Sequence, residues 1–443
     1  MSPPPTAVRR PLSGPHLVLG AVVVVALVVR WQVVGVQSGD YRAFLLPWYE
    51  QLASGGFGAL AESFSNYNTP YLVLLWLLTQ LPLDPLLAIK ALSVIFDLLL
   101  AFLVHRLVTV LRPGRPWLAV LAATAVLLAP TVVLNSSAWA QCDAIYVACC
   151  LGSLYFLLRQ RPWLASTLFG LAFAFKLQAI FFLPVLVLLL VLNRHPLRTL
   201  LAAPAAFVGA LVPALLAGRS LLSQLSVYPA QITNSSGAAA AGTRPAGRPG
   251  GFGGGGRGGG FGGGAASDPV SSFTHNAPTP YAWLPADAGS LWKYLGLALA
   301  LAVALGFGIW ILRRRRPLSG GEMLLVAATA TLVVPLLLPE MHERYFYVAE
   351  VLAVVVAVAV DRRFVAVALL MQLSSTSTYL GYLAGDPLVP LGVASMLALG
   401  AAVVAAAVLV TRLRARPGGP GRAWVAAPAA PAPASASGGR LGS

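Results

Sequence analysis

Charge is scarce in this chain. Only 10% of its 443 residues are Asp, Glu, Lys or Arg, where a soluble domain carries about a quarter. Acids are scarcer than bases: 14 against 30, for a net charge of +16. Cysteine is also rare. Cys142, Cys149 and Cys150 sit together in one apolar run, which offers neither paired bridges nor metal spacing, so they read as small packing residues. No HExxH or Cys/His zinc set is present, no glycine-rich nucleotide loop follows a strand, and no D-x-D stands in the first polar loop. No internal repeat of the kind that marks many transporters is visible. These absences exclude a soluble globular enzyme, a disulfide scaffold and the common zinc hydrolases.

What is present is hydrocarbon. Hydrophobic residues make up 58% of the chain and the mean hydropathy is +0.79. Several uncharged runs reach the length that crosses a bilayer core as helix. Backbone groups in lipid must be satisfied within each span, and the alternation of a barrel is missing. The fold class expected is an all-α polytopic membrane protein with roughly twelve transmembrane helices. The arginines stand in short clusters between the apolar runs, which fits a topology signal rather than nucleic-acid binding. Anionic inner-leaflet lipids would also attract them. No nucleic-acid partner is expected.

Letting the arginines choose the cytoplasmic side orders the chain. Arg9 and Arg10 precede a first apolar run, about 17–36, long for a signal-peptide core and without a cleavage site. Loop 37–70 then lies outside and is expected to be partly helical. Residues 71–81 are too few to span and read as a re-entrant or interfacial helix. A span over about 86–111 returns to Arg112 and Arg115. Spans over about 117–134 and 138–158 follow, with Ser136 or Ser137 placed to cap the second. Residues 162–193 read as two short arms broken at Lys176-Leu177-Gln178. After a seventh span, segment 219–290 is outside, and its glycine-rich middle, 237–266, is expected to be disordered. Arg313 to Arg316 give the clearest cytoplasmic mark. Further spans lead out to 339–345, in to Arg362 and Arg363, out to Asp386, and in to Arg412. One membrane domain over 1–411 is expected, with a disordered cytoplasmic tail over 412–443 and both termini cytoplasmic.

The polar residues that composition does not explain then fall on one side. Asp40 and Glu50 lie in the first outer loop. Trp139, Gln141 and Asp143 lie at a second corner, Lys176 and Gln178 at a third, and Glu340, His342, Glu343 and Arg344 at a fourth. Ionisable groups at the membrane boundary are costly and tend to mark function. Each has a plainer reading beside that one. Asp143 and Lys176 can form a structural bridge. Glu340, Glu343, Arg344 and Tyr347 have the spacing of one helical face. Trp48 and Trp139 suit interfacial anchors as well as sugar platforms. Asp97 sits near mid-membrane and reads as structural or without an assignable role. Asn135-Ser136-Ser137 and Asn234-Ser235-Ser236 match the glycosylation triplet. Chemically, Asp40 is suited to general-base work on a hydroxyl, and Lys176, His342 and Arg344 to a phosphate leaving group.

Five pieces carry a family likeness: Gly39-Asp40-Tyr41 with Trp48; Asn66-Tyr67-Asn68-Thr69-Pro70-Tyr71; Trp139-Ala140-Gln141-Cys142-Asp143; Phe175-Lys176-Leu177-Gln178 with Pro184; and Pro339-Glu340-Met341-His342-Glu343-Arg344-Tyr345. Their order and spacing resemble the GT-C superfamily of integral-membrane glycosyltransferases. The likeness is closest to its glucosyltransferases with dolichyl-type donors and to bacterial relatives of the GPI-anchor mannosyltransferases. It implies a polyprenyl-phosphate sugar donor and inverting transfer of a hexose (mannose or glucose) at the extracytoplasmic face of the cell membrane. The acceptor is a glycan, lipid or protein of the cell envelope. It implies Asp40 as catalytic base, and Lys176, Gln178, His342 and Arg344 as donor and phosphate ligands. Tyr67, Asn68, Trp139, Gln141, Asp143 and Glu343 become substrate-binding candidates. Some relatives carry paired acids or a metal-binding D-x-D. Asp40 stands alone, with Glu50 ten residues on, so no metal or other cofactor is demanded. Two other classes remain open at this level: a transporter or flippase for an amphipathic substrate, and a polymerase or ligase of lipid-linked glycans.

Overall fold

The computed structural model describes residues 14–235, 273–285, 288–314 and 316–415. The glycine-rich tract 237–266, Arg9 and Arg10, Ser236 of the second glycosylation triplet and the tail beyond residue 415 lie outside them. The described residues are helical almost throughout. In order come α1 (Gly14–Trp31), α2 (Leu46–Gly55), α3 (Thr69–Thr79), α4 (Pro85–Leu111), α5 (Pro116–Leu127), α6 (Pro130–Val133), α7 (Asp143–Leu158), α8 (Pro162–Phe175) and α9 (Leu183–Leu192). Then follow α10 (Ala202–Leu216), α11 (Leu221–Leu225) and α12 (Val227–Ser235), a two-residue strand β1 (Thr274–His275), and α13 (Leu291–Leu312) and α14 (Gly320–Leu337). A second short strand, β2 (Met341–His342), precedes α15 (Tyr347–Ala359), α16 (Phe364–Ala384) and α17 (Leu391–Arg414).

Local chemistry sets many of these starts. Proline opens α4, α5 and α8, where its missing N–H is no loss. Asp84 caps α4 by accepting from the backbone N–H of Leu86 and Leu87. Ser319 and Glu322 form a reciprocal capping box at α14. Among the described residues, seven helices are long and apolar enough to cross a membrane, eight if the bent pair Pro116–Leu127 and Pro130–Ala138 counts as one span. The all-α polytopic membrane fold is as expected. The other apolar helices have 10 to 17 residues, short of the roughly 20 that a straight span needs. About twelve crossings are reached only if these short helices also cross. Residues 71–79 of the expected short segment fall in such a helix, α3, which stops at Thr79, and residues 162–193 do break at Lys176, whose backbone is extended at φ −152°, ψ 133°.

Four local expectations change. The helix expected over 138–158 begins at Asp143; residues 134–138 form a π-helical turn, and Ser136 and Ser137 are buried inside it rather than capping α7. Asn135 is fully buried too, so its triplet is no glycosylation acceptor in the folded chain. Glu340 to Tyr347 do not share one helical face, because Glu340 has φ +60° and residues 341–342 are extended. Finally, α17 continues through Arg414, into the stretch expected as tail.

The first run also hides a charge. Arg30, near the end of α1, is buried and donates to Asp97 in α4 from Nε (3.1 Å) and Nη2 (2.9 Å). Its Nη1 donates to the carbonyl oxygens of Ala26 and Leu127, and Ser136 Oγ donates to Asp97 at 2.6 Å. A buried ion pair is tolerable when its remaining groups are hydrogen-bonded, and this one ties α1, α4 and α5 together. Asp97 is structural. Close helix contact is bought elsewhere by glycine: a Cβ on Gly170 of α8 would collide with the Ala203 carbonyl of α10.

The helices give the bundle two ends. Asp143 opens α7 and Tyr347 opens α15 at one end. At the other, Arg112 donates to the last carbonyl of α15 (Ala359), Arg412 donates to the carbonyl of Val360, and Gly321 packs on Val360. The first loop is no loose excursion. Tyr41, Leu45, Trp48, Leu52 and Leu60 pack with Tyr71, Leu75 and Ile89 in a second apolar core. Arg219, after α10, pins it by donating to the Glu62 carbonyl and Ser63 Oγ, both at 3.2 Å.

Candidate active site

Asp40 sits just before a π-helical turn at Tyr41–Leu45, at the floor of the packed loop. Its carboxylate is held by three side chains. Trp139 Nε1 (2.9 Å) and Gln141 Nε2 (2.5 Å) donate to Oδ2, and Tyr382 OH donates to Oδ1 at 2.6 Å. The indole of Trp139 stacks on the Tyr382 ring at 4.4 Å and 16°, so two donors brace each other. Ser38 Oγ adds a 2.7 Å bond to the Trp139 carbonyl. These contacts join residues about a hundred and more than three hundred positions apart. The Trp139–Asp143 corner can reach Asp40 because the chain there leaves helical geometry: Ala140 has φ +68°.

Beside Asp40 lies a cationic pair around a second carboxylate. Lys176 Nζ forms a very short ion pair with Asp143 Oδ1, and Asn135 Nδ2 donates to Oδ2 at 2.8 Å. Arg344 Nη1 lies 4.0 Å from Asp143 Oδ2, and its Nη2 lies 3.8 Å from Asp40 Oδ2. One guanidinium thus bridges both acids. It also covers the Trp139 ring at 4.9 Å, a cation–π contact. Arg344 Nε and Nη1 are buried and make no hydrogen bond among the described residues. Lys176 covers the Tyr67 ring at 5.4 Å, and Tyr67 OH donates to Gln141 Oε1 at 3.1 Å.

Glu343 completes the cluster. Its side chain is 3% exposed, with His342 Nδ1 at 3.9 Å. Burial pushes its carboxyl up to about 7, with Arg344 opposing and Asp40 and Asp143 adding to the rise. The His342 ring stacks on His275 at 4.7 Å. A narrow polar cleft beside Lys176 is lined by Tyr67, Asn68, Gln178, Tyr228 and Gln231. Asn68 also caps α3 through its Oδ1.

The four sequence corners therefore converge, with exceptions. Asp40, Trp139, Gln141, Asp143, Lys176, Tyr67 and Arg344 form one connected network, and Glu343 feels their charge from beside it. Asn68 and Gln178 line the adjoining cleft, and His342 stands at the rim. Glu50 is exposed on α2 and takes no part. Glu340 is drawn away to Lys293. Trp48 is buried packing, in ring contact with Phe44 and Tyr67. Residues missed from sequence are Tyr382, Asn135 and His275. Tyr382 lies near the end of α16, in a stretch unusually rich in hydroxyls from Ser374 to Tyr382, and that was the available signal. His275 comes to the site because β1 pairs in parallel with β2, Thr274 opposite Met341 and His275 opposite His342. The Glu340 N–H donates to the Phe273 carbonyl at 2.7 Å and Asn276 Nδ2 to the Thr378 carbonyl at 2.9 Å.

No curated protein matches the chain significantly. A family model does, over residues 64–339, a span that takes in the Tyr67, Trp139–Asp143 and Lys176 corners and leaves Asp40, Arg344 and Tyr382 outside it. With that match covering more than half of its length, the chain belongs to glycosyltransferase family 87, and it is a membrane glycosyltransferase of the GT-C-like integral membrane type.

Proposed function

We propose that this membrane glycosyltransferase moves a hexose, mannose or glucose, from a polyprenyl-phosphate sugar to an acceptor hydroxyl of a glycan, lipid or protein. Asp40 is the general base and the anomeric configuration inverts. The observation that carries the reading is the pairing of a fixed carboxylate with a bridging guanidinium: Asp40 anchored by Trp139, Gln141 and Tyr382, with Arg344 3.8 Å away. Transfer from a sugar phosphate needs both groups. The base takes the acceptor proton as the acceptor oxygen attacks C1. The C1–O bond to phosphate breaks, and its electron pair leaves with the phosphate. Arg344 and Lys176 meet that developing charge with charged donors in a largely buried site. A single displacement gives inversion.

The charge distribution supports an extracytoplasmic site. Arg112, Arg362, Arg363 and Arg412 gather at the end of the bundle away from Asp40, and arginine-rich ends face the cytoplasm. Both termini then lie on the cytoplasmic side. The cationic side chains already present can neutralise the leaving group without a metal. The test is turnover by purified protein in lipid, offered labelled polyprenyl-phosphate mannose and glucose with an acceptor extract, with and without chelator. The expected result is transfer of label from one donor, unaffected by chelator, with inverted configuration. Unchanged donor in every arm, or retained configuration, overturns the reading.

A further inference from the structure

The end of the bundle opposite Asp40 carries a cavity of about 550 Å³, open to the surface and rimmed by the exposed Arg112, Arg362, Arg363 and Arg412. We infer that it binds the phosphate headgroup of an anionic phospholipid. The thirteen residues of α15 separate this end from the active-site end, about 20 Å at 1.5 Å per residue, so the cavity is a distinct site.

The arginines come from three places in the chain, and three of the four, Arg112, Arg363 and Arg412, are held by hydrogen bonds. Asp361 is buried and organises two of them. Arg363 grips it from Nε (3.1 Å) and Nη2 (2.9 Å), and Arg412 donates from Nε at 2.7 Å. Arg412 Nη2 also donates to the Val360 carbonyl at 3.2 Å, and Arg112 Nε to the Ala359 carbonyl at 2.7 Å. Each of these bonds uses part of a guanidinium, leaving further N–H groups uncommitted among the described residues. Arg362 is exposed and makes no side-chain bond there. Four cations face one carboxylate, and that carboxylate is already occupied. The remaining donors suit a phosphate.

A surface run of arginines has no need of this bracing around a buried carboxylate. The wall behind the rim is Ala357, Val358 and Val360. Apolar wall and cationic rim together match a headgroup with the start of its acyl chains, as basic pockets between membrane helices do. A free phosphate uses the rim alone.

The purified full chain, stripped of lipid in detergent, is titrated with short-chain phosphatidylglycerol, phosphatidylcholine or inorganic phosphate and read by native mass spectrometry. Phosphatidylglycerol should bind at least tenfold tighter than the other two. Arg362→Gln should weaken it about fivefold, the effect of one surface arginine near a headgroup. Arg115→Gln removes an exposed arginine at the same end, outside the cavity, and should change nothing. Thermal midpoints of both variants establish that they fold. Equal affinity in wild type and Arg362→Gln, an equal loss in Arg115→Gln, or phosphate binding as tightly as lipid overturns the inference.

Discussion

Glu343→Gln isolates the electrostatics of the active-site corner. In the folded chain the Glu343 carboxyl holds its proton up to about 7, against an ordinary value of 4.5, because burial disfavours its charge. Each unit is equivalent to 1.36 kcal/mol, so the rise corresponds to about 3 kcal/mol. Between pH 4.5 and 7 the folded chain keeps a proton that the unfolded chain releases. Stability therefore falls as pH rises through that window and is fully retained below it. Glutamine keeps the shape and cannot ionise. The charged and titratable neighbours, Arg344, Asp40, Asp143 and His342, are common to both proteins, so the difference between them reports Glu343. The assay is the thermal midpoint of wild type and Glu343→Gln between pH 5 and pH 8 in one detergent. Wild type should lose several degrees relative to the variant across that range. Parallel profiles would refute the burial argument.

Three further substitutions test other parts of the account. Arg344→Lys keeps the charge but cannot reach Asp40 and Asp143 with one planar fork; kcat/KM should fall about 10- to 100-fold, the effect of one charged hydrogen bond, with normal folding by circular dichroism. Arg30→Met leaves Asp97 buried without its cation, with Ser136 still donating to it, and should lower stability by about 3–5 kcal/mol, seen as reduced folded yield. Adding Asp97→Asn should restore much of that loss. Gly170→Ala sets a methyl against the Ala203 carbonyl and should cost about 1–3 kcal/mol by forcing α8 from α10, read as a lower thermal midpoint.

What could be read from sequence were the features that lie close together along the chain. Apolar runs, arginine clusters and prolines located the helices, and the polar corners stood out because so little else in the chain is charged. Asp40, Trp139–Asp143, Lys176 and Arg344 were legible for that reason. Long-range pairing was not. Arg30 vanished into an apolar run because its partner is 67 residues away. Tyr382 is an ordinary helix residue until α16 is folded against the first loop. His275 follows a low-complexity tract that gives no register, and only the backbone pairing with β2 brings it in. Helix ends failed where the backbone took rarer shapes, such as the π-turn at 134–138 and the positive φ values of Ala140 and Glu340.

The central claim is that Asp40 removes the acceptor proton. Asp40→Asn keeps the size of the side chain and, through its carbonyl oxygen, an acceptor for part of the Trp139, Gln141 and Tyr382 frame, while removing the base. Initial rates of sugar transfer by this variant and wild type, at saturating donor and across pH, test it most directly. The expected result is a fall of about 100- to 10,000-fold in kcat, with donor binding and thermal stability largely kept. A variant that transfers sugar at the wild-type rate would contradict it.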